Sequence, residues 1–282
     1  MVGLITRFAP SPTGPLHLGH AFSALTAYDM ARAADGEFLL RIEDIDTARC
    51  RPEYVAGIYQ DLRWLGVTWP EPVLHQSRQT SAYYEALSRL SAMGVTYFCT
   101  CTRGDIRAAL SAPQEGAQQI GPDGPIYPGT CRHAHHRGKD GPAAIRLDMA
   151  KALARIGPVS FTEIGPLKAG QHRYAQDELV HHVGDVILGR RDIGTSYHVA
   201  VIVDDAAQGV THVVRGADLF DATPIHVVLQ RLLALPTPLY HHHRLIRDEK
   251  GVRLAKRDDA RALAKYRADG ATPAEIRASV GL

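Results

Sequence analysis

Hydrophobic and polar positions near the N-terminus predict a strand, a loop, a helix and a second strand. Apolar residues over 3–8 predict the first strand, and the Pro- and Gly-containing stretch 9–15 predicts the loop. Small and apolar residues over 18–34 are typical of a helix that lies on a sheet, and 38–42 predicts the next strand. A β-α-β unit favours two parallel strands joined by a right-handed crossover, and therefore an α/β fold.

The rest of the chain predicts helices and strands around an irregular segment. Helical spacing occurs at 52–65, 80–93 and 222–233, and strand-like patterns occur at 95–98, 144–149, 159–164 and 211–214. Residues 197–207 fit a helix or a strand by pattern alone. The irregular segment 111–141 is rich in Gly, Pro, Gln and His, and we expect it to belong to an insertion.

Length and charge narrow the class of protein. The chain has 282 residues, which suggests about two domains, and its 45% hydrophobic and 22% charged residues are typical of soluble globular proteins. A net charge of +2 argues against a strongly basic nucleic-acid-coating protein but permits a local basic face. We find no run of about 18 apolar residues and no signal-peptide pattern over 1–15, so we expect a cytoplasmic protein with no membrane partner.

The loop from Arg7 to Gly14 and the following His17 and His20 form the most informative segment. It lies at the carboxyl end of a predicted strand and leads into a helix, which is where open parallel sheets bind ligands and where free N–H groups attract anions. The two imidazoles fall on one side of the first turn and can donate to phosphate oxygens. Gly19 between them leaves space for a flat base. An isolated His-x-Gly-His match is weak, but the preceding loop strengthens it.

These residues resemble the signature of class I aminoacyl-tRNA synthetases of the glutamyl type. The resemblance continues, in order, through segments 40–46, 197–205 and 209–216, and ends with the Arg-Leu-Ala-Lys-Arg sequence at 253–257. That last segment resembles the family's second signature loop, but Arg253 replaces its first Lys and Ala255 replaces its Ser, whereas Lys256 is kept. The matches extend from residue 7 to residue 258.

The resemblance implies an enzyme that forms glutamyl-adenylate from L-glutamate and ATP, with magnesium accompanying the triphosphate. It implies catalytic roles for His17, His20 and Lys256. The nucleotide would be bound by His17, Gly19, His20, Arg253 and Lys256.

Glutamate recognition by resemblance involves both cations and acceptors. The implied residues are Arg7, Ala9, Ser11, Glu43, Tyr197 and Arg215. An arginine fork binds a carboxylate through two hydrogen bonds, so Arg215 favours glutamate over glutamine. The alternatives are that Glu43 only caps the strand end and that Arg215 forms a surface ion pair with Asp218.

Cys99, Cys101 and Cys131 form a candidate metal site in a reducing compartment. Three thiolates suit zinc, which normally takes a fourth ligand. Chemistry alone favours His133, His135 or His136 for that position. The resemblance instead implies Tyr127, in a Tyr-x3-Cys arrangement with Cys131, and one structural zinc.

The alternative at this site is reduced structural cysteines without metal. We expect Cys50 to be a lone buried thiol.

The resemblance also implies the domain organisation. We expect a class I synthetase Rossmann-like nucleotide-binding fold made of 1–98 and 196–240, an inserted zinc-bearing α+β module at 99–195, and a signature loop with a short C-terminal helical segment at 241–282. We expect a monomer.

The length points to a subgroup of that family. A full glutamyl-tRNA synthetase continues into an anticodon-binding domain, whereas this chain ends 24 residues after Asp258. It therefore resembles the short glutamyl-Q tRNA(Asp) synthetases, which attach glutamate to queuosine at the wobble position of tRNA(Asp). We expect the basic stretch from His241 to Arg267 and the insertion to contact the phosphates of this tRNA.

Three other functions fit parts of the pattern. A truncated conventional synthetase would charge the 3′ end of tRNA(Glu). A coenzyme nucleotidylyltransferase would share the His-x-Gly-His helix start but would not need Arg215. A non-catalytic RNA-binding paralogue would have no use for His17, His20 and Lys256.

Overall fold

A computed structural model describes residues 3–111, 120–134, 143–247 and 261–282. The strands in these ranges are β1 (Ile5–Phe8), β2 (Glu37–Ile42), β3 (Leu74–His75), β4 (Thr96–Cys99), β5 (Ile120–Gly121), β6 (Gly124–Pro125), β7 (Ala144–Leu147), β8 (Val159–Glu163), β9 (Gly170–Tyr174), β10 (Ile187–Gly189), β11 (His212–Gly216) and β12 (Leu239–His243). The helices are α1 (Leu18–Ala33), α2 (Pro52–Trp64), α3 (Thr80–Ala92), α4 (Arg103–Ser111), α5 (Met149–Ile156), α6 (Gln176–His182), α7 (Tyr197–Ala207), α8 (Thr223–Leu232), α9 (Leu263–Ala268) and α10 (Pro273–Val280).

Two sheets, β3-β2-β1 and β11-β12-β8-β9, lie side by side and together form the main sheet. The pairs β1–β2, β2–β3 and β11–β12 are parallel. The N–H of Thr211 donates to the carbonyl oxygen of Ile5, which places β11 beside β1. The β1-α1-β2 unit is therefore the parallel unit that the sequence predicts, and the strand order changes direction beside β1, where α/β folds bind ligands.

Small residues allow α1 to lie close to this sheet. Ala21, Ala24, Ala27 and Ala31 are buried along one side of the helix. The hydroxyl of Thr6 on β1 donates to the carbonyl oxygen of Ala27 over 2.9 Å. This contact fixes the helix against the strand and thereby fixes the loop between them.

A second sheet, β10-β7-β4, is antiparallel and lies in the central part of the chain. The strand predicted at 144–149 stops at Leu147. The carboxylate of Asp148 accepts the N–H of Lys151 and caps α5, so Met149 is helical rather than extended.

Strand pairing also joins the central part of the chain to the main sheet. Glu163 of β8 pairs with Tyr240 of β12, and β9 pairs with β8. The pairing thus crosses the expected limits of the 99–195 module, and the division into domains stays a prediction.

The C-terminal helices pack against the first part of the chain. The N–H of Leu263 donates to the carbonyl oxygen of Leu16 over 2.8 Å. The guanidinium of Arg277 on α10 binds both carboxylate oxygens of Asp29 on α1, at 2.7 and 3.0 Å. Among the described helices, none is long and apolar enough to cross a membrane.

Part of the basic stretch lies inside the fold. His242 and His243 are buried in β12, and the contact of the remaining stretch with tRNA phosphates stays a prediction.

Candidate active site

One cavity of about 550 Å³ lies beside the loop after β1. Nine of the residues predicted for catalysis or ligand binding line it, namely Arg7, Ala9, Ser11, His17, Gly19, His20, Glu43, Tyr197 and Arg215. Arg253, Ala255 and Lys256 lie outside the described residues. The structure thus brings together the predicted residues of the N-terminal loop, of β2 and of the 197–216 segment.

The start of α1 determines the tautomer of two imidazoles. His17 caps the helix, and its Nδ1 accepts the N–H of Gly19 over 3.1 Å. The Nδ1 of His20 accepts the N–H of His17 over 3.1 Å. Because both Nδ1 atoms accept, each ring is neutral and carries its hydrogen on Nε2. The rings lie 3.8 Å apart between centroids, so the two Nε2–H donors belong to one compact group at the helix start.

The space above Gly19 is already occupied by a protein side chain. A Cβ at this position would lie 3.0 Å from Cε1 of the His17 ring. The capping imidazole therefore favours glycine at this position, in addition to any requirement for a bound base.

Arg7 is held by a buried carboxylate. Its Nε and Nη2 donate to the two oxygens of Asp205 over 2.9 and 3.3 Å, and its Nη1 donates to the carbonyl oxygen of Val214. Arg41, whose side chain is fully buried, donates to the same Asp205 over 2.7 Å. The charge of Arg7 is thus balanced within the protein before any ligand binds.

Glu43 lies on the same side of the cavity. Its Oε1 is 3.3 Å from Nη2 of Arg41. Burial raises the pKa of Glu43 although Arg41 and Arg7 oppose that shift. Burial also raises the pKa of Tyr197, whose phenol therefore remains a neutral hydrogen-bonding group. These acceptors suit a bound ammonium group.

Arg215 has a different environment from Arg7. It is 5% exposed, which excludes the surface ion pair with Asp218 considered above. The hydrogen-bond partners identified for its guanidinium are neutral, namely His242, His226, Thr223 and the carbonyl oxygen of Leu219. Its charge is therefore not paired directly with a carboxylate among the described residues, and the cation can bind an anionic ligand.

The three predicted cysteine ligands converge at the end of β4. The sulfur atoms of Cys99, Cys101 and Cys131 lie within 4.8 Å of one another. The phenol oxygen of Tyr127 lies 3.4 Å from Sγ of Cys99 and 3.3 Å from Sγ of Cys101. A tetrahedral zinc ion with bonds of about 2.0–2.3 Å requires ligand–ligand distances of roughly 3.5–3.8 Å. The donor set therefore suits zinc in ligand type and in approximate spacing.

His133 is exposed, whereas Tyr127 is buried with Cys99 and Cys131, beside the half-buried Cys101. His135 and His136 lie outside the described residues. Cys50 is half-buried rather than buried, and its Sγ lies 4.0 Å from the carbonyl oxygen of Glu43.

Comparison with known proteins assigns the chain to a family. Residues 3–282 match the family described as tRNA synthetases class I (E and Q), catalytic domain. The chain belongs to this family. It is accordingly a ligase of the aminoacyl-tRNA synthetase type, as the sequence predicts.

Individual class I synthetases refine this likeness. A glutamyl-Q tRNA(Asp) synthetase of Rhodobacter capsulatus is 60% identical over 99% of this chain and 100% of that protein. A protein of the same name from Geobacter sulfurreducens is 43% identical over 94% of this chain and 79% of that protein. The predicted resemblance to this group is confirmed.

Solved class I synthetases share the fold. The glutamate-tRNA synthetase of Elizabethkingia anophelis superposes with a TM-score of 0.77 at 25% identity, over 99% of this chain. The matched part is 61% of that longer protein. A glutamate tRNA ligase of Elizabethkingia meningosepticum, solved with its amino acid, gives a TM-score of 0.76 at 26% identity, over 99% of this chain and 60% of that one.

The sequence analysis missed the residues that hold Arg7 and Arg215 in place. Asp205 lies in a segment that the resemblance covers, but nothing in the sequence indicates that it binds both Arg7 and Arg41. His226, His242 and Glu163 have no recognisable motif at all. Their signal is only the presence of polar residues within otherwise apolar helix and strand patterns, which is weak without the structure.

Proposed function

We propose that this chain activates L-glutamate with ATP and transfers the glutamyl group to queuosine at the wobble position of tRNA(Asp). The observation that carries the proposal is the shared cavity. It combines a buried cation with neutral partners, Arg215, and the paired Nε2–H donors of His17 and His20. The names of its relatives support the choice of acceptor.

The first step joins the α-carboxylate oxygen of glutamate to the α-phosphorus of ATP and breaks the bond to pyrophosphate. The carboxylate is itself the nucleophile, so the protein needs only to align the reactants and neutralise charge. His17 and His20 would donate to phosphate oxygens, and Arg215 would bind the side-chain carboxylate. Magnesium would accompany the triphosphate.

Five further residues complete the proposed activation site. Glu43 and Ser11 would lie near the substrate ammonium, and Tyr197 would contact the glutamate. Arg253 and Lys256 would supply cations at the triphosphate.

The second step forms an ester. A hydroxyl oxygen of the queuosine cyclopentenediol attacks the carbonyl carbon of the adenylate, its proton is released, and AMP leaves. The diol presents two neighbouring hydroxyls, as a terminal ribose does. A structural zinc at Cys99, Cys101, Tyr127 and Cys131 would hold the module beside the site.

Labelled glutamate, ATP and purified tRNA test this function. The tRNA(Asp) should be supplied with queuosine or with unmodified guanine, in each case after removal of its 3′ terminal nucleoside. We expect label only on the trimmed tRNA that contains queuosine. Periodate, which cleaves the diol, should abolish acceptance, and the His20→Ala variant should transfer little.

The competing activity has a distinct outcome. If intact tRNA(Glu) accepts glutamate while the trimmed, queuosine-containing tRNA(Asp) does not, the chain is a conventional charging enzyme.

A further inference from the structure

The guanidinium of Arg215 only donates hydrogen bonds, and this fixes the state of every group that it contacts. Its Nε lies 3.0 Å from Nε2 of His242, and its Nη1 lies 3.0 Å from Nδ1 of His226. Both imidazole nitrogens must therefore be acceptors. Each ring consequently carries its hydrogen on the other nitrogen, which points away from Arg215.

The first of these histidines donates to a buried carboxylate. Nδ1 of His242 lies 2.5 Å from Oε2 of Glu163. The other oxygen, Oε1, accepts the N–H of His242 over 2.9 Å and the N–H of Gly165 over 2.6 Å. Glu163 is 2% exposed, so the sequence Arg215, His242, Glu163 is a directed and fully buried series of hydrogen bonds.

The second histidine begins a similar series. Nε2 of His226 donates to Nδ1 of His198 over 3.1 Å. Nε2 of His198, which then carries the hydrogen, lies 3.4 Å from Oδ1 of Asp123. This contact is long for a hydrogen bond and Asp123 is half-exposed, so the second series of hydrogen bonds ends at His198.

Both histidines next to Arg215 are held neutral. Burial and the charge of Arg215 lower the pKa of His242 to about 3 and lower the pKa of His226 well below its usual value. A neutral imidazole transmits orientation to the guanidinium without cancelling its charge.

We propose that Glu163, acting through His242, is a positioning residue that holds Arg215 for the side-chain carboxylate of glutamate. This inference rests on the proposed activation of glutamate at Arg215. Glu163 comes from the 99–195 segment that also carries the cysteine cluster. That segment therefore has a second role, which is to set the geometry of the amino-acid site.

The contrast with Arg7 explains why Arg215 is held through a relay, which here means the hydrogen-bond series from Arg215 through His242 to Glu163. Arg7 is paired directly with Asp205 at 2.9 Å, which balances its charge. At Arg215 an imidazole separates the guanidinium from Glu163, so the arginine is held in place while its charge remains able to bind a ligand.

The Glu163→Gln substitution tests the relay through hydrogen-bond direction. Oε1 of Glu163 faces two backbone N–H groups, so the amide oxygen of Gln must take that position and its NH2 must face His242. The imidazole must then accept at Nδ1 and carry its hydrogen on Nε2, where it opposes the Nε–H of Arg215. We expect the KM for glutamate in pyrophosphate exchange to rise about tenfold or more, the loss typical of a broken hydrogen bond to a charged group. The rate at saturating glutamate should change much less.

The direction of the change separates positioning from simple electrostatics. Removing a negative charge near Arg215 would by itself strengthen glutamate binding and lower KM. A rise in KM, together with poorer discrimination against glutamine, therefore supports the relay. An unchanged or lower KM overturns it. The control is Glu178→Gln on α6, where the exposed carboxylate has no contact with Arg215, and both kinetic parameters should stay at wild-type values.

A spectroscopic measurement keeps the test independent of activity. In protein labelled with ¹⁵N-histidine, the His242 ring should be the Nδ1–H tautomer in the wild type and the Nε2–H tautomer in Glu163→Gln. The signal is assigned by its loss in His242→Gln. The same tautomer in both proteins contradicts the relay. Absence of glutamate-dependent exchange in the wild type would instead refute the proposed function, while the tautomer test would still apply.

Discussion

Asp205 binds two buried arginines at once and therefore links β1 and β2 beside the candidate active site. It accepts from Arg7 over 2.9 Å and from Arg41 over 2.7 Å. Burial alone would raise the pKa of Asp205, but the two guanidinium groups outweigh it and lower the pKa below its usual value. Neutralising this carboxylate would leave two buried cations with less compensation, which is costly in a medium of low polarity.

Replacing Asp205 by Asn should therefore destabilise the protein strongly. We expect a loss of about 3 kcal/mol in the free energy of unfolding at pH 7, measured by denaturant titration. Because the folded-state pKa is depressed, this contribution is present above the unfolded-state value of about 3.9 and disappears as the pH falls below it. The difference between wild type and variant should thus narrow below about pH 4.

The matched control for this prediction is Asp192→Asn. Asp192 also pairs with an arginine, at 2.6 Å from Arg190, but its side chain is 63% exposed. The Asp192→Asn variant should lose less than about 1 kcal/mol in the free energy of unfolding. Equal losses in the two variants would show that the network around Asp205 has no special role.

Separate elements meet at the cysteine cluster. Cys99 ends β4, Cys101 follows it, and Tyr127 and Cys131 come after the β5–β6 hairpin. Local periodicity predicted β4 to within a residue, because strand ends are determined by nearby sequence. It gave no indication that β4 would pair with β7, since that pairing depends on residues almost 50 positions away.

The wild-type protein should contain about one zinc ion per chain. Cys99→Ser should lose the metal and loosen the segment around Tyr127 without unfolding the main sheet. Elemental analysis and limited proteolysis check these two expectations. Cys50→Ser is the control, because Cys50 lies apart from the cluster and its loss should leave the metal content unchanged.

The fourth ligand is distinguished by two further variants. Tyr127→Phe should weaken zinc retention against a chelator, whereas His133→Ala should not. The reverse pattern would identify His133 as the ligand, and metal-free wild-type protein would contradict the site altogether.

At the scale of the molecule, the sequence predicted the fold class and the residues that surround the cavity but not how they are supported. The β1-α1-β2 unit follows from local patterns, and the motif residues follow from family resemblance. The contacts Arg7–Asp205 and Arg215–His242 join residues 198 and 27 positions apart in the chain. Such contacts depend on the packing of the whole fold, so local sequence patterns do not predict them.

The attachment of α10 to α1 has a consequence for nucleotide affinity. Arg277 binds Asp29, and the guanidinium of Arg244 donates to the carbonyl oxygen of Val280 near the end of α10. We therefore expect a ligand that suppresses local opening of α1 also to suppress local unfolding of α10. By thermodynamic reciprocity, destabilising α10 must lower the affinity of the protein for that ligand by the same factor.

Hydrogen exchange makes this coupling measurable. ATP should slow amide exchange in α10, although this helix does not line the cavity. Arg277→Ala should diminish the protection and raise the Kd of ATP by a small factor, on the order of two to five, because the ion pair is partly exposed. Arg173→Ala, on exposed β9, should alter neither quantity. The last helix would then contribute to nucleotide binding from a distance. Mutations near the end of the chain would affect catalysis by changing how often α10 unfolds locally.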